Sequence, residues 1–180
     1  MTESSHFALL ANYNQWMNRK LYAAAGTLDA DALAQDRGAF FGSILGTLNH
    51  LVVADTIWLK RFASHPAHAR ALDALAEVPS PTALDAVPFR DFTALRMHRE
   101  WLDALIIDWA ATAPESGWNH VLSYTNTRGE RFRKRMDLLM LHFFNHQTHH
   151  RGQVTTLLSQ AGVEVGETDL RALLPDETED

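Results

Sequence analysis

The chain has 180 residues, 46% of them hydrophobic and 21% charged, with a formal net charge of −6 and no cysteine. That length suits one core of ordinary size, so a single domain over 1–174 with an acidic tail at 175–180 is expected. The negative charge argues against nucleic-acid binding, and without thiolates a transition metal would have to be held by His, Asp, Glu or water.

Residues 6 to 25 place Phe7, Leu10, Tyr13, Met17, Leu21 and Ala24 at the spacing of an amphipathic helix that stops at Gly26. The following TLDADALAQDRGAFFG has turn and cap residues but little periodicity. Ser43 then offers an N-cap for a second helix running to about Phe62. Residues 64 to 88 hold four of the six prolines, which predicts a long connection with at most one short helix. A third helix over 89–112 carries Phe92, Leu95, Leu102, Leu105, Ile106 and Trp109 along one stripe and ends before Pro114. VLSYTNTRGERFRKR alternates around an RG turn and predicts a short hairpin, its basic run reading as a solvated or dimer-edge strand. The fourth helix runs from about Met136 to Gln160, with Gly162 just beyond its end. GETDLRALLP predicts a short capped helix, and the DETED end reads as disordered. The sum is an all-α four-helix bundle with a long crossover between helices two and three and a short β-hairpin before helix four.

The stretch HFFNHQTHHRGQ in the fourth helix has four histidines within nine positions. At about 100° per residue from Leu139, the apolar direction spans roughly 0° to +60°. His146 at about −20° and His150 at about +20° lie within the apolar stripe, with His142 and His149 on its shoulder. A single core histidine is usually an imidazole whose nitrogens find hydrogen-bond partners. Two at i and i+4 project over one patch and can share a cation, although a site needs a third ligand. Gln147 stands where H-E-x-x-H metalloproteases have their glutamate, and the one Glu-x-x-His match, Glu3 to His6, cannot supply a di-iron site. On the second helix, His50 lies opposite the Ile44, Leu48, Leu51, Leu59 and Phe62 stripe, between Gly46, Ala54 and Ile57. Its position alone reads as a surface or edge histidine. Asp55 lies among apolar neighbours, where a structural hydrogen bond is favoured over a ligand role.

The stretches FFGSILGTLNHLVVADTIWLKRF and NHQTHHRGQ, supported by YNQWMNRKLY, LSYTNTRGE and GVEVGETDL, resemble the DinB family (damage-inducible B) over almost the whole chain. The resemblance implies a four-helix bundle, commonly a dimer, in which three histidines bind one divalent metal ion such as nickel or zinc. Matched by motif, the ligands are His50, His146 and His150. His142, His149, Asp55 and Gln153 become candidates for groups that support those ligands. Arg151, Tyr124 and Trp16 are further pocket candidates whose ordinary roles would be surface charge or packing.

An open position on a three-histidine ion would take water, or the thiolate of a small thiol. The resemblance implies thiol-dependent S-transferases or isomerases that use low-molecular-weight thiols, and a metal-dependent S-transferase or hydrolase acting on a small molecule is expected. The alternatives are a non-catalytic, stress-associated metal-binding bundle, or an interaction protein whose histidines are ordinary core residues. The family's name refers to inducible expression and does not imply DNA binding. The N-terminus lacks a basic region followed by an apolar one, and no apolar run reaches the roughly 20 residues of a membrane span. A bacterial cytoplasmic homodimer, without membrane or nucleic-acid partners, is expected.

Overall fold

The computed structural model describes residues 2–176. The chain is mostly helical, with one small antiparallel sheet. α1 spans Glu3–Ala25, where the Thr2 hydroxyl accepts from the Ser5 amide. α3 spans Ile44–Ala63, and the expected cap is in place, with Ser43 Oγ accepting from Gly46 N at 3.0 Å. α5 spans Phe92–Thr112 behind an Asp91 cap, and α6 runs Met136–Gln160. Each side-chain cap satisfies a backbone N–H that the first helical turn leaves unpaired.

The segment expected to be irregular after α1 contains a short helix, α2, at Ala30–Ala34. Asp29 Oδ1 caps it at 2.8 Å from Ala32 N. Five residues are too few to display helical periodicity, so the cap was its only signal. The connection from α3 to α5 holds α4, Pro66–Ala69, and one 3₁₀ turn at Asp73–Leu75. The hairpin forms as expected from β1, Val121–Thr125, and β2, Arg131–Arg135, with Tyr124 opposite Phe132. Its turn contains Gly129 at φ +82°, a backbone region that favours glycine. GETDLRALLP yields a 3₁₀ turn at Leu170–Leu173 in place of a capped α-helix. Most of the tail expected to be disordered, residues 177 to 180, lies outside the described residues.

α1 packs against α5 and α6, while α3 packs against α6 and, less extensively, α5. The shared core includes Leu21, Ile44, Leu48, Phe62, Leu102, Ile106, Trp109, Met140 and Leu158, all fully buried. Burying each of the larger side chains contributes roughly 1.5–3 kcal/mol before the cost of ordering it. Across the core runs a polar seam that the stripe pattern did not anticipate. Arg99 Nη1 lies 2.5 Å from Asp55 Oδ2, and Nη2 lies 3.0 Å from Asp103 Oδ1. Gln147 Nε2 donates to Asp55 at 2.9 Å, and Asn14 and Asn18 donate to Asp103 at 3.0 and 2.9 Å. Burial works against the Arg99 charge, and the flanking carboxylates of Asp103 and Asp55 overcome it and raise its pKa. The seam thus joins all four long helices. No helix among the described residues is long and apolar enough to cross a membrane.

Candidate metal centre

α3 and α6 bring His50, His146 and His150 together, with one ligand atom from each within 4.8 Å of the others. His50 Nε2 lies 3.2 Å from His150 Nε2 and 3.4 Å from His146 Nε2. Imidazole nitrogens bound tetrahedrally at about 2.0–2.1 Å from one ion would stand about 3.3 Å apart, so both distances from His50 fit a shared cation.

The outer nitrogens determine what the inner ones can do. His50 Nδ1–H donates to the Leu84 carbonyl at 2.8 Å, and His150 Nδ1–H donates to Gln153 Oε1 at 2.8 Å. In both neutral rings the proton is therefore on Nδ1, leaving the Nε2 lone pair facing the cluster. Lone pairs brought this close without a proton between them repel, and a cation relieves that repulsion. Burial is the largest cause holding the rings neutral: it pushes His50 down to about 4 and His146 to about 3, with like charge from His150 adding to both. The pKa of His150 is also lowered by burial, which its bond to Gln153 opposes. Neutral imidazole is the form that binds a metal.

The expectation of an edge position for His50 is wrong: the residue is only 4% exposed. The helical wheel assumed one buried face, but α3 is covered on both sides. Leu84 of the long connection reaches the His50 ring, and the Phe41 ring stacks on it with centroids 3.8 Å apart and planes at 16°. Phe41 reaches that position because Gly46 has no side chain, and an added Cβ there would lie 2.1 Å from the Phe41 carbonyl oxygen. Neither cover is close to His50 in helical register, so periodicity could not reveal it.

His146 is half-buried and His150 buried, whereas His142 and His149 are exposed. Gln153 contacts the cluster directly through His150, and its amide also approaches His149 Nε2 at 3.4 Å. The His142 ring packs against Trp58, 5.1 Å away, and lies 6.0 Å from that of His146. Asp55 hydrogen-bonds Arg99 and Gln147 in the core seam, the structural role favoured from its neighbours. Arg151 is buried, bonding Asn14 and Thr148. Tyr124 meets Trp58 at 5.2 Å beneath the Arg61 guanidinium, and Trp16 packs with Tyr13 and Lys20.

His68, which the sequence did not single out, is a fully satisfied core histidine. Its Nδ1 accepts from Trp109 Nε1 at 3.2 Å and its Nε2–H donates to the Gly117 carbonyl at 3.1 Å. This contrast identifies what is unusual at His50 and His150, where one nitrogen is satisfied and the other turned toward further imidazoles.

A model of the DinB family matches residues 1–179 of the chain. Among curated proteins, the chain is similar to Protein DinB of Bacillus subtilis (strain 168), 25% identical over 166 residues that cover 92% of each chain. No solved structure matches it.

Proposed function

The chain belongs to the DinB family, and from that premise we propose that it is a metal-dependent protein using His50, His146 and His150 to hold one divalent ion, nickel or zinc. The observation that carries the reading is His50 Nε2 standing 3.2 Å from His150 Nε2 and 3.4 Å from His146 Nε2, with two of the three nitrogens freed for ligation by outer hydrogen bonds. All the ligands are neutral nitrogens, which suits borderline ions of this class better than magnesium or calcium.

When bound, such an ion supplies a Lewis acid with an open position, able to acidify water or a small thiol at neutral pH. The chain's own residues do the rest. Leu84 and Gln153 fix the tautomers of His50 and His150, and Phe41 keeps water from one face of His50. We assign the substrate to small molecules, with transfer to or from a low-molecular-weight thiol, or hydrolysis, as the reaction. The same reading includes a four-helix bundle, a homodimer and a bacterial cytoplasmic setting.

A second reading, in which the metal serves stability alone, draws on the ties that His50 makes to Leu84 and Phe41. An ion there would clamp α3, α6 and the long connection together. Elemental analysis of untagged protein tests the shared premise: about one ion per chain is expected, and His146→Ala should remove it. Full occupancy in a His50→Ala, His146→Ala double variant would overturn the site. Turnover of a thiol conjugate that chelator abolishes and added metal restores separates the first reading from the second.

A further inference from the structure

The connection between α3 and α5 is fastened to α3 at three places. Lys60 Nζ donates to the Leu75 carbonyl at 2.8 Å, and His50 Nδ1 donates to that of Leu84 at 2.8 Å. Asn49 pairs with the Phe89 backbone in both directions, at 2.9 and 3.0 Å. Between these fastenings Pro79, Pro81 and Pro88 hold φ near −65° and provide no N–H for a helix or sheet. The segment therefore arches, leaving a cavity of about 450 Å³ beneath it.

The cavity floor is Val52 and Val53 of α3, its roof includes Pro79, Pro81 and Ala86, and His98 of α5 forms one wall. None of its lining residues is Lys, Arg, Asp or Glu. Its volume lies within the range of small-molecule sites, about 300–1,000 Å³. His98 packs against Phe89 and Trp101 in tilted arrangements, with ring centroids at 4.8 and 5.2 Å. Burial, with the nearby Arg99 charge, lowers its pKa, so it presents a neutral imidazole able to hydrogen-bond an uncharged group. A mainly apolar, uncharged lining with a few polar groups, here His98 and the hydroxyls of Thr56, Ser80 and Thr82, is the usual make-up of a site for neutral ligands.

The floor also places this cavity beside the histidine cluster. Val53 follows His50 by three residues, close to one helical turn, and Thr82 and Ala86 of the roof flank Leu84, whose carbonyl holds the His50 ring. From this geometry we propose that the cavity binds a small, neutral, mainly apolar molecule, and that its occupancy is transmitted to His50 through Leu84. The site is separate from the metal position, and its binding requires no metal.

Titration of the metal-free full chain with the neutral fluorophore N-phenyl-1-naphthylamine tests both parts. Saturable fluorescence at one site per chain is expected, weakened at least tenfold by Ala86→Trp and, as a second roof variant, by Thr82→Trp. Leu141→Asp, on an exposed apolar position of α6, should leave binding unchanged. No saturable binding, binding by both roof variants as tight as by the native chain, or loss of binding in Leu141→Asp overturns the site. In long-range ¹H–¹⁵N spectra the His50 ring signals should move with probe occupancy. Binding that the roof variants weaken but that leaves those signals fixed overturns the link to His50. Because every arm is read without metal, failure here is distinguishable from failure of the metal assignment.

Discussion

His50 Nδ1 donates to the Leu84 carbonyl across 2.8 Å, joining a helix to a connection 34 residues further along the chain. One consequence is chemical, since the proton held on Nδ1 leaves Nε2 as a lone pair toward His146 and His150. The other is structural, since the long connection is anchored at the histidine cluster. Gln153 performs the chemical part of this role for His150.

Gln153→Ala should therefore weaken metal binding without unfolding the protein. Loss of a partner that orients a ligating histidine typically costs 10–100-fold in affinity. Competition against a chromophoric chelator measures it, alongside an unchanged helical circular dichroism spectrum. Native affinity in the variant would show that the Gln153 contact does not orient the ligand.

Two helical glycines should respond in opposite directions to alanine. At Gly46 the new methyl would meet the Phe41 carbonyl, so the loop must move and Phe41 leave the His50 ring. Gly46→Ala should cost about 1–3 kcal/mol despite the better helix propensity of alanine. A methyl group added at Gly152 would meet nothing within 4 Å, and Gly152→Ala should stabilise by roughly 0.5–1 kcal/mol. Urea unfolding of the two variants decides, and equal effects would contradict the close approach at Gly46.

Arg99→Ala should be the most damaging single change in the polar seam. It leaves Asp55 and Asp103 facing each other's charge in the core without their counter-ion. Breaking a buried pair by removing one partner costs about 3–5 kcal/mol. A denaturation midpoint close to that of the native chain would contradict the ion pairs.

The pH dependence of stability should carry a signature of His68. Burial pushes its pKa from the ordinary 6.5 to about 4. Between those values the unfolded chain binds the proton and the folded chain does not, so this contribution rises with pH from about 4 to about 6.5 and is constant above. His68→Leu loses the Trp109 and Gly117 hydrogen bonds and should lower stability throughout. Its melting temperature should nevertheless climb less steeply across that window than the native chain's. Identical slopes would place the His68 pKa near its ordinary value.

The sequence carried most of the helical framework, for reasons particular residues make clear. α6 was legible at both ends because a long apolar period runs from Met136 and Gly162 marks the exit. His146 and His150 were legible as a pair because both project from one helix. His50 was not, since its burial depends on Phe41 and Leu84, which reach it through tertiary contact; only family resemblance selected it. Arg99 did leave a sign, standing in register between Leu95 and Leu102, both buried, on the core-facing stripe. Asp103 stands at i+4 on the same helix, but no periodicity could supply the partner on α3, Asp55, or the Gln147 of α6 that shares its carboxylate, because single-helix patterns do not encode pairings between helices.

The most direct test of the metal centre is X-ray absorption at the edge of the bound ion in untagged protein. The expected result is a shell containing three imidazole nitrogens at about 2.0–2.1 Å, reduced to two in His50→Ala. A shell without imidazole scattering, or one unaltered by His50→Ala, would contradict the assignment of His50, His146 and His150 as its ligands.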